Sequence, residues 1–459
     1  MQLLLPILSL ISLIMAVMFP KLLIPVCNLQ FILLLAIAII DFIKYKALNL
    51  IQIWLAGFIF IIWSEITQLI YTEYIDTYYF KAILFYLFAN TFVLFGYYFT
   101  HTQIKPAKNS VEFYNYYRTF FPLLIFLLIF YILSGIQQAI TNLTSTVTYG
   151  AGSSQGSGTL LNFFTTGLGF LLPSLIGYYY TYVKKNVFLA WILVLPIFII
   201  LLLAGSRFRL LFSALPFLII IKWLPINNYS FKKIVPLMAL GIGFLFLSDF
   251  IVDFRQNFSG LSISSEYDNQ ENDNPITLRI AEKMSNEGVV KMGMYANKYF
   301  EDNDLSLGRE SSFLFIFWIP RGLWPSKPVM LDSWMIQNFE KVQEGFSSAS
   351  GFMGELRADF GLFSLIFALI MGCLIKKTNN YVMSVFLDKG GNFDKILASI
   401  SFPVLFFFIR SPITSLISIA MSVIIYFILK SIYTKPKYPL NFPNLIEEKN
   451  LNYANSSSN

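Results

Sequence analysis

Residues 187–225 read VFLAWILVLPIFIILLLAGSRFRLLFSALPFLIIIKWLP. The two apolar runs in this stretch, 187–204 and 209–225, each approach the roughly 20 residues that a helix needs to cross the hydrocarbon core of a bilayer. A short turn that contains Arg207 and Arg209 separates them. The pattern predicts two membrane-spanning helices joined by a tight, positively charged turn, and similar apolar runs continue along the chain in both directions.

The composition of the whole chain agrees with a membrane protein. Of 459 residues, 56% are hydrophobic and 13% are charged, whereas an average soluble domain has about 25% charged residues. This balance excludes a soluble enzyme, a disordered protein and a nucleic-acid binder. Cys27 and Cys373 both lie in apolar runs, so no disulfide framework is expected. The single histidine, His101, leaves no material for a zinc site.

Hydrophobic length predicts an all-α, polytopic integral membrane protein with about twelve transmembrane helices. The predicted spans lie near residues 3–19, 22–42, 48–70, 78–99, 119–140, 160–182, 187–204, 209–225, 234–250, 359–375, 396–410 and 412–430. Only Pro20 and Lys21 separate the first two. A tight hairpin and a single kinked helix both remain open for that pair.

The basic residues predict the orientation of the chain. If the N-terminus is cytoplasmic and the spans alternate, most lysines fall on the cytoplasmic side, while the short outer loops hold Lys21, Lys81, Arg207, Arg209 and Arg410. This asymmetry is the positive-inside pattern. We therefore expect a multi-pass membrane protein with both termini in the cytoplasm.

The same topology divides the chain into four regions. Residues 1–250 form an N-terminal bundle of about nine spans, 251–358 a large outer loop, 359–433 the C-terminal spans and 434–459 a cytoplasmic tail. Within the loop, Ile276, Ile280 and Met284 recur at helical spacing and predict an amphipathic helix. The segment 311–318 is apolar but too short to span, which predicts an interfacial or re-entrant helix.

The arginines are distributed differently from the lysines across the two predicted sides of the membrane. Of nine arginines, only Arg118 falls on the cytoplasmic side. The other eight lie outside or at the outer boundary: Arg207, Arg209, Arg255, Arg279, Arg309, Arg321, Arg357 and Arg410. Arginine binds phosphate and carboxylate through a planar fork that lysine lacks. The excess predicts a positively charged outer pocket for an anionic, lipid-linked substrate. The alternative is that each arginine only reaches the outer headgroups.

One motif in the outer loop is IPRGLWPSKP, residues 319–328. Its three prolines stiffen the backbone that carries Arg321 and Lys327, which lowers the entropic cost of presenting both cations to one anion. Trp324 lies between the two cations. It could stack on a sugar ring or anchor the loop at the membrane interface.

A second motif is GFMGELRADFG, residues 351–361. Glu355 and Asp359 are four residues apart and share a face if the segment is helical. A partly buried carboxylate beside Arg357 can act as a general base. The alternative is an ion pair, either Glu355 with Arg357 or Asp359 with an arginine, that seals the start of a helix. No calcium-loop spacing is present, so no metal and no cofactor are expected.

Three islands of sequence carry a resemblance. Gly205-Ser206-Arg207 precedes a span, Pro-Arg-x-x-Trp-Pro-x-Lys-Pro occupies 320–328, and Gly354-Glu355 precedes Asp359-Phe360-Gly361. With the many spans and the late outer loop, they resemble the Wzy-type polymerases of O-antigen and capsule repeat units. The resemblance implies a metal-independent membrane glycosyltransferase that extends a glycan on undecaprenyl pyrophosphate, as in lipopolysaccharide or capsule synthesis. Membrane lipids, a chain-length regulator and a flippase are the implied partners, and nucleic acid is not.

The resemblance also implies roles for particular residues. The expected catalytic residues are Glu355, which would orient or deprotonate the acceptor hydroxyl, and Arg207, Arg321 and Arg357. The expected substrate-binding residues are Arg209, Arg255, Lys327, Trp324, Arg410 and Asp359. One cationic cluster would comprise Arg207, Arg209 and Arg410, and a second Arg321, Lys327 and Arg357. Arg255 could instead pair with Asp253.

Two other functions compete with the polymerase. An O-antigen ligase has a similar loop arrangement but relies on a loop histidine, which this predicted outer face lacks. A lipid-linked oligosaccharide flippase or other transporter would be expected to show two similar halves and charge near the middle of the bilayer. No internal repeat is evident in the sequence.

Overall fold

A computed structural model describes residues 3–72, 76–101, 111–113, 117–144, 159–203, 207–223, 288–301, 308–316, 351–387, 393–410 and 416–436, with a few positions between 319 and 339. The described fold is helical apart from one short ribbon of two strands. The predicted span at 234–250 and the predicted amphipathic helix at 276–284 lie outside the described residues.

The helices follow the apolar runs closely. They are α1 (Leu4–Met18), α2 (Leu23–Tyr45), α3 (Leu50–Phe58), α4 (Ser64–Thr72), α5 (Thr77–Phe99), α6 (Tyr117–Thr144), α7 (Thr159–Tyr178), α8 (Val187–Leu203), α9 (Arg207–Ile220), α10 (Val289–Glu301), α11 (Arg309–Ile316), α12 (Phe352–Phe360), α13 (Ser364–Leu387), α14 (Asp394–Arg410) and α15 (Leu416–Tyr433). A π turn at Ile59–Trp63 joins α3 to α4, another at Tyr179–Val183 extends α7, and 3₁₀ turns occupy Pro20–Leu22 and Gly361–Phe363.

Six of the described helices are long and apolar enough to cross a membrane. They are Pro20–Tyr45, Leu50–Ile70, Thr77–Phe99, Thr119–Ile136, Phe352–Phe386 and Leu416–Tyr433. Three shorter apolar helices accompany them: Leu4–Met18, Val187–Leu202 and Arg209–Ile220. Large apolar side chains on α1 and α2, such as Ile11, Ile32 and Ile43, are exposed. Apolar side chains that face outward as well as inward suit a lipid environment, and together these features indicate a polytopic membrane protein.

The first two helices form a hairpin. The side-chain amide of Gln30 in α2 donates to the Ser9 carbonyl oxygen in α1 at 3.0 Å, and the Ser9 hydroxyl donates to Gln30 Oε1 at 2.7 Å. In one continuous helix, residues 21 positions apart would be separated by about 30 Å. The hairpin is therefore the correct reading of the Pro20-Lys21 break. Thr91 of α5 joins the same buried network, 2.7 Å from the Ser9 hydroxyl.

The bundle is held together at its centre by a very close contact between α5 and α13. A Cβ atom on Gly96 would lie 2.0 Å from the Leu369 carbonyl oxygen, and one on Gly372 would lie 2.0 Å from the Val93 carbonyl oxygen. The two backbones can approach this closely only because both positions are glycine. Small residues are the usual means by which helices pack without a water-driven hydrophobic effect.

The described part of the bundle has a lysine-rich end and an arginine end, and each is joined by contacts between distant segments. At the lysine-rich end, defined by Lys46, Lys185, Lys222, Lys376, Lys395 and Lys430, strand β1 (Val111–Phe113) pairs antiparallel with β2 (Thr434–Pro436). At the arginine end, defined by Arg209, Arg357 and Arg410, the Gly351 amide bonds to the Arg410 carbonyl oxygen. Segments that the predicted topology assigns to the same side thus contact one another.

Residues with positive φ at the helix boundaries differ between the two ends: lysines follow helices at one end, and glycines precede helices at the other. At the lysine-rich end, Lys46, Lys185 and Lys222 have positive φ values of 45°, 54° and 65°. At the arginine end, α10, α11 and α12 are each preceded by a glycine with positive φ: Gly288, Gly308 and Gly351. Lysine in this left-handed conformation carries a steric penalty that glycine avoids.

Three details differ from the predicted layout. The two short strands were not expected in an all-α chain, and β2 orders the first residues of the predicted tail. Helix α13 continues to Leu387, well beyond the predicted end of that span at 375. Helix α10, packed against α5, was not predicted because its apolar face is only 13 residues long. A helix, α11, occupies most of the segment 311–318 that was predicted to be a short helix, and its interfacial or re-entrant placement stays a prediction.

Candidate functional site

A carboxylate from the bundle fixes the start of α10. Glu65 in α4 is buried, and its Oε1 accepts a hydrogen bond from the Lys291 backbone amide at 2.9 Å. Lys291 is the third residue of α10, so its amide has no carbonyl partner inside the helix. A negative side chain here also interacts favourably with the positive end of the helix dipole.

Tyr86 of α5 reaches the same point. Its hydroxyl donates to the Val289 carbonyl oxygen at 3.0 Å. Glycines make room for the ring: a Cβ on Gly293 would lie 2.8 Å from a Tyr86 ring carbon, and one on Gly354 would lie 2.6 Å from the hydroxyl oxygen. Tyr86 is therefore wedged between α10 and α12.

Arg357 of α12 faces this junction and keeps one hydrogen-bond donor unused among the described residues. Its Nε donates to Asn297 Oδ1 at 3.0 Å, and its guanidinium carbon lies 4.6 Å from the centre of the Phe85 ring. Its Nη1 is buried and has no hydrogen-bond partner among the described residues. No described carboxylate forms a salt bridge with it. The expected ion pair between Glu355 and Arg357 is thus not formed.

Asn297 bridges Arg357 and helix α5. While its Oδ1 accepts from Arg357, its Nδ2 donates to the Tyr78 carbonyl oxygen near the start of α5, at 3.3 Å. One amide therefore ties the arginine to a membrane helix and fixes the plane of the guanidinium group.

Charged groups converge on the Tyr86 hydroxyl. Glu65, Glu355 and Arg357 all lie close enough to interact with it electrostatically. Glu355 is only 2% exposed. We call Glu65, Tyr86, Asn297, Glu355 and Arg357 the Arg357 cluster. It combines two buried carboxylates, a phenol and a cation with an unused donor, which is a set able to orient a hydroxyl and bind an anion.

Asp359 has the contacts of a helix cap. Its Oδ2 accepts from the Ser311 amide at 2.8 Å and from the Ser311 hydroxyl at 2.6 Å, and the residue is fully buried. Ser311 is the third residue of α11, so Asp359 caps α11 as Glu65 caps α10. Its expected role in substrate binding stays a prediction.

Arg209 lines a separate pocket. The pocket is a small, partly open recess between α6, α7, α8 and α9. Hydroxyls of Tyr131, Ser134, Thr165 and Ser213 share the lining with Arg209. No hydrogen bond or salt bridge joins the Arg209 side chain to another described residue. The recess is mostly apolar, carries several hydroxyls, and has Arg209 as its single charged lining residue.

Arg410 stands between the two arginine sites. Its positive charge is close enough to act on that of Arg209, and its carbonyl oxygen accepts from the Gly351 amide at 3.1 Å. Gly351 begins the segment that carries Glu355 and Arg357. The predicted grouping of Arg209 with Arg410 is consistent with these contacts.

The proline-rich motif is described only in part. Lys327 is 7% exposed, and its ammonium group donates to the Ile319 carbonyl oxygen at 3.1 Å. The Trp324 indole donates to the Ser326 hydroxyl at 3.0 Å. Both side chains therefore help to fold their own loop. Arg255 and Arg321 lie outside the described residues, and of Arg207 only the backbone, at the start of α9, is described.

Sequence reasoning missed four members of this environment. Glu65 carries a usable signal, because an ionisable residue inside an apolar span marks a functional or capping position. Tyr86 and Phe85 lie in a continuous apolar run, and Asn297 lies in a helix that was not predicted; nothing local distinguishes them. Among the described residues, no group of three histidine, cysteine or acidic side chains is placed to hold a metal ion.

Comparisons with protein-family models, with curated proteins and with solved structures find no match to this chain. The interpretation of the site therefore rests on its own chemistry.

Proposed function

We propose that the protein is a membrane glycosyltransferase that polymerises oligosaccharide repeat units linked to undecaprenyl pyrophosphate, building O-antigen or capsular polysaccharide on the outer face of the bacterial cytoplasmic membrane. The observation that carries the proposal is a pair of arginines, at one end of the bundle, whose side chains have unused hydrogen-bond donors among the described residues. Arg357 keeps a buried, unbonded Nη1, and Arg209 lines a pocket without any bonded partner among the described side chains. Desolvated cations of this kind favour anionic ligands.

A reaction with two lipid pyrophosphates needs two cationic sites. The acceptor repeat unit offers a hydroxyl, which attacks the anomeric carbon of the donor glycan, and the bond from that carbon to the lipid pyrophosphate breaks. The hydroxyl proton passes to Glu355, and the pyrophosphate leaves with the bonding electrons. Arginine stabilises the charge that develops on the leaving group, so no strong acid is required.

The proposed division of labour follows the two sites. The Arg357 cluster has the carboxylates and would receive the acceptor hydroxyl, while Arg209 and Arg410 would hold a pyrophosphate. A narrow apolar crevice borders Tyr86 and is lined by Trp54, Met353 and Ile409. Apolar surface next to a polar site suits a substrate that is part lipid.

The proposal includes a topology of about twelve spans with both termini in the cytoplasm. The lysine-rich end would face the cytoplasm, in accord with the positive-inside pattern. The 251–358 region would form the outer loop, and its described helices α10 and α11 pack against the arginine end through Glu65 and Asp359.

The test is the surface glycan profile of a deletion strain complemented with variants. We expect Arg357→Ala and Arg209→Ala to leave glycan of single repeat units only, at normal protein levels. Lys81→Ala is the control, because Lys81 is an exposed cation on the outer half of α5. Loss of all surface glycan with lipid-linked units retained inside would contradict the polymerase and favour a flippase. Long free glycan that fails to reach its final acceptor would favour a ligase.

A further inference from the structure

Helices α5 and α13 are staggered along their length. They contact each other most closely around Gly96 and Gly372, where each backbone reaches a carbonyl oxygen of the other helix. A helix rises about 1.5 Å per residue, which places Thr77, the first residue of α5, about 26 Å from the centre of this contact. By the same measure Phe363, directly before α13, is only about 11 Å away. At the arginine end, α13 therefore begins about 15 Å short of α5.

Contacts of α12 place it at the same level. Tyr86 lies about 14 Å from Thr77 along α5, and a Cβ on Gly354 of α12 would lie 2.6 Å from the Tyr86 hydroxyl oxygen. Met353 lines the narrow apolar crevice beside Tyr86 together with Asn90, which is one turn further along α5. The start of α12 therefore lies beside the middle of α5 rather than beside its arginine end.

The length of α5 relates this level to a bilayer. Helix α5 has 23 residues, which is about 34 Å along its axis, and the hydrocarbon core of a bilayer is about 30 Å thick. When α5 spans the core, its arginine end lies close to the outer headgroups. The turn Gly361–Phe363 and the start of α12 then lie about 15 Å below that end, inside the hydrocarbon of the outer leaflet.

The side chains around this turn are arranged as lipid requires. Leu362 and Phe363 are 69% and 74% exposed, whereas Glu355, Asp359 and Ser364 are buried. A turn in water would be expected to expose its polar side chains and bury its apolar ones. The exposed apolar surface continues along one face of α13 through Ile366, Ile370 and Leu374. The turn is thus the end of a continuous outward-facing apolar stripe.

The backbone of the turn meets the same requirement. The Gly361 amide donates to the Arg357 carbonyl oxygen. The Gly361 carbonyl oxygen accepts from the Ser364 amide and, at 2.5 Å, from the Ser364 hydroxyl. Irregular backbone can lie at membrane depth only when the protein itself satisfies its polar groups. The break between α12 and α13 therefore uses contacts that do not depend on water.

We propose that the surface formed by Leu362, Phe363 and Ile366 lies within the outer leaflet and binds lipid acyl chains, so that the start of α12 lies below the level of the outer headgroups. The depth along α5 and the continuity with the exposed face of α13 select acyl chains as the occupant. Helix α12 carries Glu355 and Arg357, so lipid borders the Arg357 cluster on this side. The inference rests on helix depth and is independent of the proposed reaction.

The experiment measures the depth of the turn by electron paramagnetic resonance, on the full chain in phosphatidylcholine vesicles. Cys27→Ala and Cys373→Ala remove the native thiols, and Phe363→Cys carries a nitroxide label. The measured quantity is the ratio of the label's collision rates with oxygen and with a polar nickel chelate. Oxygen concentrates in hydrocarbon and the chelate is excluded from it, so we expect this ratio to be about tenfold higher than for a label in Thr77→Cys.

Two further labels make the comparison specific. Ile370→Cys is the matched membrane control, since Ile370 is 46% exposed on the same stripe, and its ratio should equal that of Phe363→Cys. Thr77→Cys marks the outer end of α5, where the side chain is exposed. Leu362→Cys repeats the measurement at a neighbouring position and should agree with Phe363→Cys. Thermal unfolding of each labelled protein checks that it remains folded.

Two results would overturn the inference. A ratio at Phe363→Cys equal to that at Thr77→Cys would place the turn at the water boundary. Low collision rates with both reagents at Phe363→Cys and Leu362→Cys, beside a high oxygen rate at Ile370→Cys, would show that protein covers the turn. The surface would then belong to a second copy of the chain or to another protein.

Discussion

The amide of Gly351 donates to the carbonyl oxygen of Arg410 at 3.1 Å, which joins the start of α12 to the end of α14. A Cβ atom on Gly351 would lie 2.5 Å from the Ile409 carbonyl oxygen. This contact helps to position the helix that carries Glu355 and Arg357 against Arg410, whose charge acts on that of Arg209. The spacing between the two proposed anion sites therefore depends on a glycine.

Substitution of Gly351 tests that dependence. Gly351→Ala combines a left-handed backbone penalty of about 1–2 kcal/mol with the clash against Ile409, so we expect a clear fall in thermal stability and loss of chain extension. Gly308→Ala is the control: its φ is 89°, and among the described residues the nearest atom to a Cβ there is a Phe360 ring carbon at 3.8 Å. Equal losses of stability in the two variants would show that the α12–α14 contact has no special weight.

A kinetic assay should distinguish the contribution of Arg357 from that of Asn297, which orients it. Removing the charge in Arg357→Ala should lower the rate of chain extension by about 10²- to 10³-fold. Arg357→Lys should restore little, because lysine lacks the planar fork. Asn297→Ala leaves the charge but frees its orientation, and we expect a smaller loss of about ten- to hundredfold.

The assay compares these variants with Lys81→Ala in membranes that contain equal amounts of protein. If Asn297→Ala were as inactive as Arg357→Ala and also unstable, the amide would serve the packing of α10 rather than the orientation of the arginine.

Asp359 offers a way to separate capping from substrate binding. Removal of a helix cap costs about 0.5–2 kcal/mol, so Asp359→Ala should lower the unfolding temperature. Asp359→Asn, which keeps one acceptor for Ser311, should lower it less. We expect activity to fall in step with stability across these two variants and Ser311→Ala. A stable but inactive Asp359→Asn protein would instead assign the carboxylate to the substrate.

The contact between α5 and α13 predicts a severe packing defect. In Gly372→Ala the new methyl group would meet the Val93 carbonyl oxygen at 2.0 Å, and a backbone oxygen inside a helix cannot move aside alone. We expect a loss of at least the 1–3 kcal/mol typical of overpacking, measured as unfolding temperature and yield in detergent. Gly135→Ala is the milder comparison, since its closest contact is a methyl carbon of Ile200 at 2.7 Å.

The six described helices that are long and apolar enough to cross a membrane could be predicted from the sequence, because hydrophobic length defines them, while the count of about twelve spans stays a prediction. The predicted span at 78–99 corresponds to α5, Thr77–Phe99. The α1–α2 hairpin could not be decided in advance, because its geometry depends on the Ser9–Gln30 contact between distant residues. The β1–β2 ribbon was likewise beyond reach, since three-residue strands carry almost no local signal.

The sequence drew attention to the arginines of the candidate site but not to the residues that contact them. Arginine on the side that should lack positive charge drew attention to Arg209, Arg357 and Arg410 from composition and topology alone. Asn297 and Tyr86 acquire their importance only when α10 docks against α5. A single sequence gives no measure of that docking.

The three lysines with positive φ affect membrane insertion and folded-state stability in opposite directions. During membrane insertion, charge at the ends of the spans biases the direction in which each helix is threaded. In the finished fold, Lys46, Lys185 and Lys222 occupy positions where glycine would relax the backbone. A change to glycine there would ease the folded state while weakening the orienting charge. Such positions link the biogenesis of the chain to its final stability.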